Sequence, residues 1–213
     1  MRRRPRITSI DFRPVVRFHR RVKLVVPAQE HLESYCAALR SGWSPDNVRG
    51  RAAAEEQLDW IGRDGAGFLA SLDDPFASGA PIKMADGTTV KRLPGIVRWM
   101  WDGEFAGSIG FRWQDGTSAL PSTCPGHIGF AVVPWKRNRG LAKGALQAML
   151  EVARMRGLDH VELTTTPNNL PSQRVIEANG GKLVERMISE PQLGGGEALR
   201  YRIDLCASSQ GDA

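Results

Sequence analysis

The sequence predicts one α/β domain, and three observations predict it. Between Ile96 and Val133 short apolar segments alternate with tight turns, as in antiparallel strands. Leu141–Arg156 then changes to the period of a helix, with Leu141, Ala142, Ala145, Leu146, Met149, Leu150 and Ala153 on one stripe. Beyond it a strand, a short helix and two further strands follow within about fifty residues. The 213 residues, 41% hydrophobic and 24% charged, suit a single domain with a continuous core. No run approaches the ~18 consecutive apolar residues of a membrane span.

The elements follow in order. Val22–Val26 is a short strand closed by Pro27. Ala28–Leu39 is a helix with Leu32, Tyr35, Cys36 and Leu39 at helical spacing, ended by Ser41-Gly42. A second helix spans Ala52–Ile61, with Ala54, Leu58 and Ile61 on one face and a further turn at Phe68–Leu72. Asp86-Gly87, between Ile82–Met84 and Thr88–Val90, signals a hairpin, and Asp102-Gly103 turns Ile96–Trp101 into Phe105–Trp113. His127–Val133 is the next strand. The helix Leu141–Arg156, with Gly157 at C′, joins it to His160–Thr165, which predicts that these two strands run parallel. Pro171–Ala178 is a short helix, and Gly194-Gly195-Gly196 turns Lys182–Ile188 into Ala198–Leu205.

The net charge of +6 belongs to one end of the chain. Residues 1–23 hold nine of the 29 basic residues and one of the 23 acids, so the remainder is slightly acidic. We therefore divide the chain into a flexible basic arm (1–21), the folded domain (22–205) and a tail (206–213). No basic patch interleaved with aromatics continues into the domain, which argues against a nucleic-acid module. Cys36, Cys124 and Cys206 form no paired framework or C-x-x-C pattern, the four histidines have no zinc spacing, and no signal peptide is evident, so a reducing cytoplasm is the expected home.

Chemistry concentrates in Val132-Val133-Pro134-Trp135-Lys136-Arg137-Asn138-Arg139-Gly140-Leu141-Ala142-Lys143. A strand ends, a basic loop with one glycine follows, and a helix begins at once. The unpaired amides and positive dipole of such a helix end hold phosphate. Gly140 and Ala142 keep the side-chain wall low, and Lys136, Arg137 and Arg139 add charge. Neither G-x-x-x-x-G-K-[ST] nor G-x-G-x-x-G is present.

Arg137-Asn138-Arg139-Gly140-Leu141-Ala142 resembles the R/Q-x-x-G-x-G/A signature of the GNAT acetyltransferases, and the order of elements over residues 22–205 is similar to theirs. Asn169-Leu170-Pro171-Ser172 looks like the family's N-x-x-S/A segment, and Arg98–Phe105 and Gly126–Phe130 resemble a bacterial branch of that family. The resemblance implies a GNAT fold, a mixed central sheet of about six to seven strands with helices on both faces. It implies acetyl-CoA as co-substrate, its pyrophosphate on Arg137, Asn138, Arg139, Gly140, Leu141, Ala142 and Lys143. Pantetheine would lie between the strand carrying Val132 and Val133 and its splayed parallel neighbour. One of those two amides would face the thioester oxygen, and Asn169 and Ser172 would stand near the arm. Asn169 also reads as a helix N-cap.

Acylation of an amine needs a proton acceptor. His127 stands near the strand start where relatives often carry a Glu, and a strand-edge structural role is an equal reading; Glu104 is a second candidate, with a solvated turn as the alternative. Ile176 occupies the place of the family's general-acid Tyr. Trp99, Trp101, Trp113 and Trp135 lie near the expected site, at least two of them as core, and Cys124 is a remote nucleophile candidate. The expected function is acetyl-CoA-dependent N-acetylation of a small-molecule or peptide amine, by a monomer or a homodimer. The rival readings are a non-catalytic acyl-CoA-binding module and a protein that meets nucleic acid through its arm.

Overall fold

The computed structural model describes residues 17–18, 22–83, 88–193 and 195–205. The rest of the arm, the Asp86-Gly87 turn, Gly194 and the tail from Cys206 lie outside the described residues. In chain order the elements are β1 (Arg17–Phe18), β2 (Val22–Val25), α1 (Leu32–Arg40), α2 (Arg51–Ser71), β3 (Asp73–Asp74), β4 (Ile82–Lys83) and β5 (Thr89–Val90). Then come β6 (Gly95–Trp101), β7 (Phe105–Arg112), β8 (Ile128–Val132), α3 (Leu141–Met155), β9 (His160–Thr165), α4 (Leu170–Glu177), β10 (Lys182–Ile188) and β11 (Glu197–Asp204). No helix among the described residues is long and apolar enough to cross a membrane.

The α/β class is the predicted one, with helices against both faces. The main sheet has the order β1-β2-β6-β7-β8, with β3 beside β6, and every neighbour is antiparallel. A second sheet, β10-β11-β9, is also antiparallel, and β4 and β5 form the small hairpin predicted from Asp-Gly. No ladder joins the strands at 127–133 and 160–165, as a splayed pair requires: β8 pairs with β7 and β9 with β11.

The pleat of β6 sorts the two cores. Ile96 and Met100 face α3, whereas Val97, Trp99 and Trp101 face α1 and α2. On the first side Ile109, Phe111, Leu146 and Met149 are fully buried; on the second, Tyr35 stacks on Trp99 with centroids 4.4 Å apart and planes 12° apart. Trp99 and Trp113 are thus core, as two of the four tryptophans were expected to be. The predicted stripe of α3 is buried except for the half-buried Ala142, and Ala148 and Val152 join it.

The second helix runs ten residues beyond its predicted end. Asp64 breaks it, with φ −153° and ψ 77°, and its carboxylate accepts the Gly67 N–H at 2.8 Å, so one acid both stops the first half and caps the second. Asp64→Ala is expected to lower stability by about 1 kcal/mol, read from urea denaturation, with no change in the exchange protection of β6 and β7.

Candidate active site

The site begins where the two sheets part. At the start of β8 the strands still touch: the His127 N–H donates to Glu162 O at 2.7 Å, and the Glu162 N–H donates to His127 Nδ1 at 2.9 Å. A Cβ on Gly126 would lie 3.0 Å from Glu162 O and 3.2 Å from Leu163 Cα, so any larger residue would push the two backbones apart by a few tenths of an ångström. Beyond that contact no ladder joins β8 to β9 among the described residues, and the unpaired seam between their facing edges is an opening in the hydrogen-bonded sheet.

Antiparallel pairing fixes which backbone groups face the opening. Arg112 N–H donates to His127 O, and Val133 N–H donates to Ala106 O at 3.1 Å, so alternate residues of β8 point to β7. Val132 lies between two such residues, and its N–H and C=O therefore turn toward the gap. Of the two predicted oxyanion donors, Val133 has its amide committed to β7 and Val132 has its amide free to serve. The Val132 carbonyl accepts from Arg137 Nε at 3.4 Å. Across the gap, at the last residue of β9, Thr165 Oγ1 is buried without a hydrogen-bond partner among the described residues; nothing in the local sequence marked it.

The loop after β8 makes a short 3₁₀ turn at Pro134–Lys136 and reaches α3 through two residues with positive φ, Asn138 (+60°) and Gly140 (+73°). No side chain caps α3, and the first helical bond is Gly144 N–H to Gly140 O at 3.1 Å. The Leu141, Ala142 and Lys143 amides are left at the open end of the helix. A Cβ on Gly140 would meet nothing within 4 Å, so the approach is clear. Arg137, Asn138, Arg139 and Lys143 are exposed around it. Lys136 corrects the sequence reading of three available cations: it is 4% exposed and its ammonium is held by Asp102 and by Glu104, the latter at 2.8 Å.

The remaining predicted residues are dispersed. Asn169 caps α4, its Oδ1 accepting the Ser172 N–H at 3.3 Å, and Gln173 braces the same corner through Pro167 O at 2.8 Å. His127 has no exposed surface, and burial pushes its pKa down to about 4, His160 and Arg112 adding to the shift and Glu162 opposing it. It stands five residues, about 16 Å of strand, from Val132. Glu104 lies at the turn into β7, beside the loop after β8 and paired with Lys136. Ile176 is buried under Gly181, and Cys124 Sγ is engaged with Gly126 O at 3.4 Å. Trp135 is 47% exposed on the loop.

Residues 71–180 match the model of the acetyltransferase (GNAT) family. No curated protein matches the chain in sequence. Among solved structures the fold is similar to the microcin C7 self-immunity acetyltransferase MccE in complex with acetyl-CoA and AMP (12% identity, TM-score 0.54, 87% of this chain and 93% of that one). It is also similar to the ribosomal L7/L12 alpha-N-protein acetyltransferase RimL in complex with coenzyme A (14%, 0.58, 90% and 96%). A third likeness is the acetyltransferase from Salmonella typhimurium that modifies the N-terminal serine of ribosomal protein L7/L12 (16%, 0.57, 90% and 97%). At these identities the likeness is one of fold.

The His127–Glu162 contact has a pH signature. The folded-state pKa of about 4 lies below the ordinary value near 6.5. Between these values the unfolded chain binds the extra proton, so stability rises with pH across that window and is lost as pH falls toward 4. His127→Asn retains an acceptor near Nδ1 but does not titrate, and should flatten this part of a stability–pH profile from urea melts. His127→Leu leaves the buried Glu162 N–H unpaired and should cost about 1–3 kcal/mol.

Proposed function

Since the chain belongs to the acetyltransferase (GNAT) family, we propose that it transfers an acetyl group from acetyl-CoA to a primary amine at the opening between β8 and β9. The observation that carries this reading is the meeting, at one end of that opening, of the inward-facing Val132 amide and the uncapped start of α3. Acetyl-CoA supplies a thioester whose C–S bond breaks as the amine's N–C bond forms, one proton leaving the amine and one joining the thiolate.

The residues present fit that ligand. The Leu141, Ala142 and Lys143 amides, with Arg137 and Arg139, would receive the pyrophosphate over the clear space at Gly140. The orphaned Thr165 hydroxyl and the edge of β8 offer polar partners to an amide-containing arm. Val132 N–H would stabilise the oxygen on which charge develops. With Asn169 spent on Ser172 N–H, its contribution is to set the corner after β9. We assign His127 to closing the blind end of the gap and Glu104 to the loop, so the acceptor's proton passes to water. A thiol of ordinary pKa, ~8.5, leaves without the acid that Ile176 does not provide.

The acceptor is a primary amine, small or at a peptide N-terminus; the solved relatives that act on ribosomal protein L7/L12 and the one bound with AMP define the first compounds to try. A thermal-shift series with CoA and acetyl-CoA, followed by free-thiol release with an amine panel, tests the reading. Binding should raise Tm by RT ln(1 + [L]/Kd) at the level of stability. Gly140→Asn and Gly140→Asp tolerate positive φ alike and differ only in charge. The Asp variant should lose the shift while melting no lower than the equally strained Asn variant, since an acid favours a helix start. The Asn variant should keep part of the shift. No shift with the native protein would overturn the assignment, and a shift without turnover of any amine would leave a binding module.

A further inference from the structure

From Pro134 to Gly140 every residue of the phosphate loop is exposed except Lys136. Its side chain runs back under the loop to the Asp102–Glu104 turn between β6 and β7, which faces the loop across a cleft of about 430 Å3. The Asp102 side chain is itself only 17% exposed. A buried ammonium is costly unless carboxylates hold it, and here two do, from a segment more than thirty residues earlier in the chain. The backbone on either side is bonded as well: Lys136 N–H to Val133 O at 3.0 Å, and Arg137 N–H to Pro134 O. The loop also holds positive φ at a non-glycine, Asn138 (+60°), a conformation that persists where the surrounding structure determines it.

We propose that Lys136 is a positioning residue for the acyl donor: anchored on Asp102 and Glu104, it holds the loop in the shape that presents Arg137, Arg139 and the α3 amides to a pyrophosphate. This rests on the acetyl-CoA reading above. The proposal sets the sign of an otherwise opposite effect. Removing an acid beside an anion site strengthens anion binding by simple electrostatics, and would do so here too if Lys136 touched phosphate itself. A positioning role reverses the sign, because freeing Lys136 loosens the loop.

The test is Asp102→Asn and, separately, Glu104→Gln, whose exposed side chain makes misfolding a poor explanation. For each, CoA affinity is measured by calorimetry and the steady-state constants with the best amine. Hydrogen exchange of the Lys136, Arg137 and Gly144 amides is followed without ligand. Asp102→Asn should weaken CoA binding and raise KM for acetyl-CoA by about tenfold or more, the scale on which groups that orient ligating residues act. It should leave kcat and the amine KM within twofold, and speed exchange of the three amides; Glu104→Gln should do the same to a smaller degree. Unchanged or tighter CoA binding, or unchanged exchange, would overturn the proposal. If the native protein binds no CoA, the acetyl-CoA reading fails, and the exchange data alone decide whether Lys136 anchors the loop.

Discussion

Two strand edges that face each other without pairing are the constraint from which the rest of the site follows. β8 and β9 are each satisfied on their outer sides, by β7 and β11, and are pinned together only at His127 and Glu162. Past that pin their main-chain groups have no partners across the gap among the described residues, a state that proteins normally blunt or cover. An extended ligand with amide groups can complete such edges as an added strand would. Gly126 makes the pin possible by letting the backbones come within contact distance. The site is therefore a product of where hydrogen bonding stops.

At the other end of β8, polarity is organised by helix geometry. α3 begins without a side-chain cap, so its first amides keep their hydrogen-bonding capacity for an anion. The two left-handed residues of the loop bring the chain round tightly enough for this end to lie directly beyond β8. Charge is divided between two tasks: Arg137 and Arg139 stay in solvent, and Lys136 turns inward to Asp102 and Glu104. Two faces of packed aromatics and aliphatics, the Tyr35–Trp99 stack on one side and α3 on the other, hold the sheet on which these groups are mounted.

What could be read from the sequence was what is local in it. The stripe of α3, the Gly140 turn, the Asn169 cap and both Asp-Gly hairpins depend on residues within a few positions of each other, and they stand where they were expected. The parts that were not legible depend on distant partners. Lys136 looks like one more phosphate-binding cation until Asp102, 34 residues earlier, is placed beside it. His127 reads equally as a base and as a strand-edge structural residue, and only Glu162, 35 residues later, whose N–H bonds its Nδ1, distinguishes the two. The continuation of the second helix past Ile61 is hidden because Asp64, which breaks it, also caps its next turn. The connecting helix speaks only to the direction of 127–133 and 160–165; where their hydrogen bonding stops depends on the contact of His127 with Glu162, which local sequence does not show.

The inward-facing donor of β8 belongs to the main chain, and this determines what kind of genetic change the site resists. Exchanging the Val132 side chain for another that packs equally well leaves the N–H in place; among single substitutions proline alone deletes it. Its direction is a matter of parity. A strand's amides alternate sides, so inserting or deleting one residue between Ile128 and Val132 would turn that donor toward β7 and bring its neighbour round. The facing of that amide is thus stored in the count of residues between His127 and the loop, and drift in residue identity along β8 can proceed while drift in its length cannot.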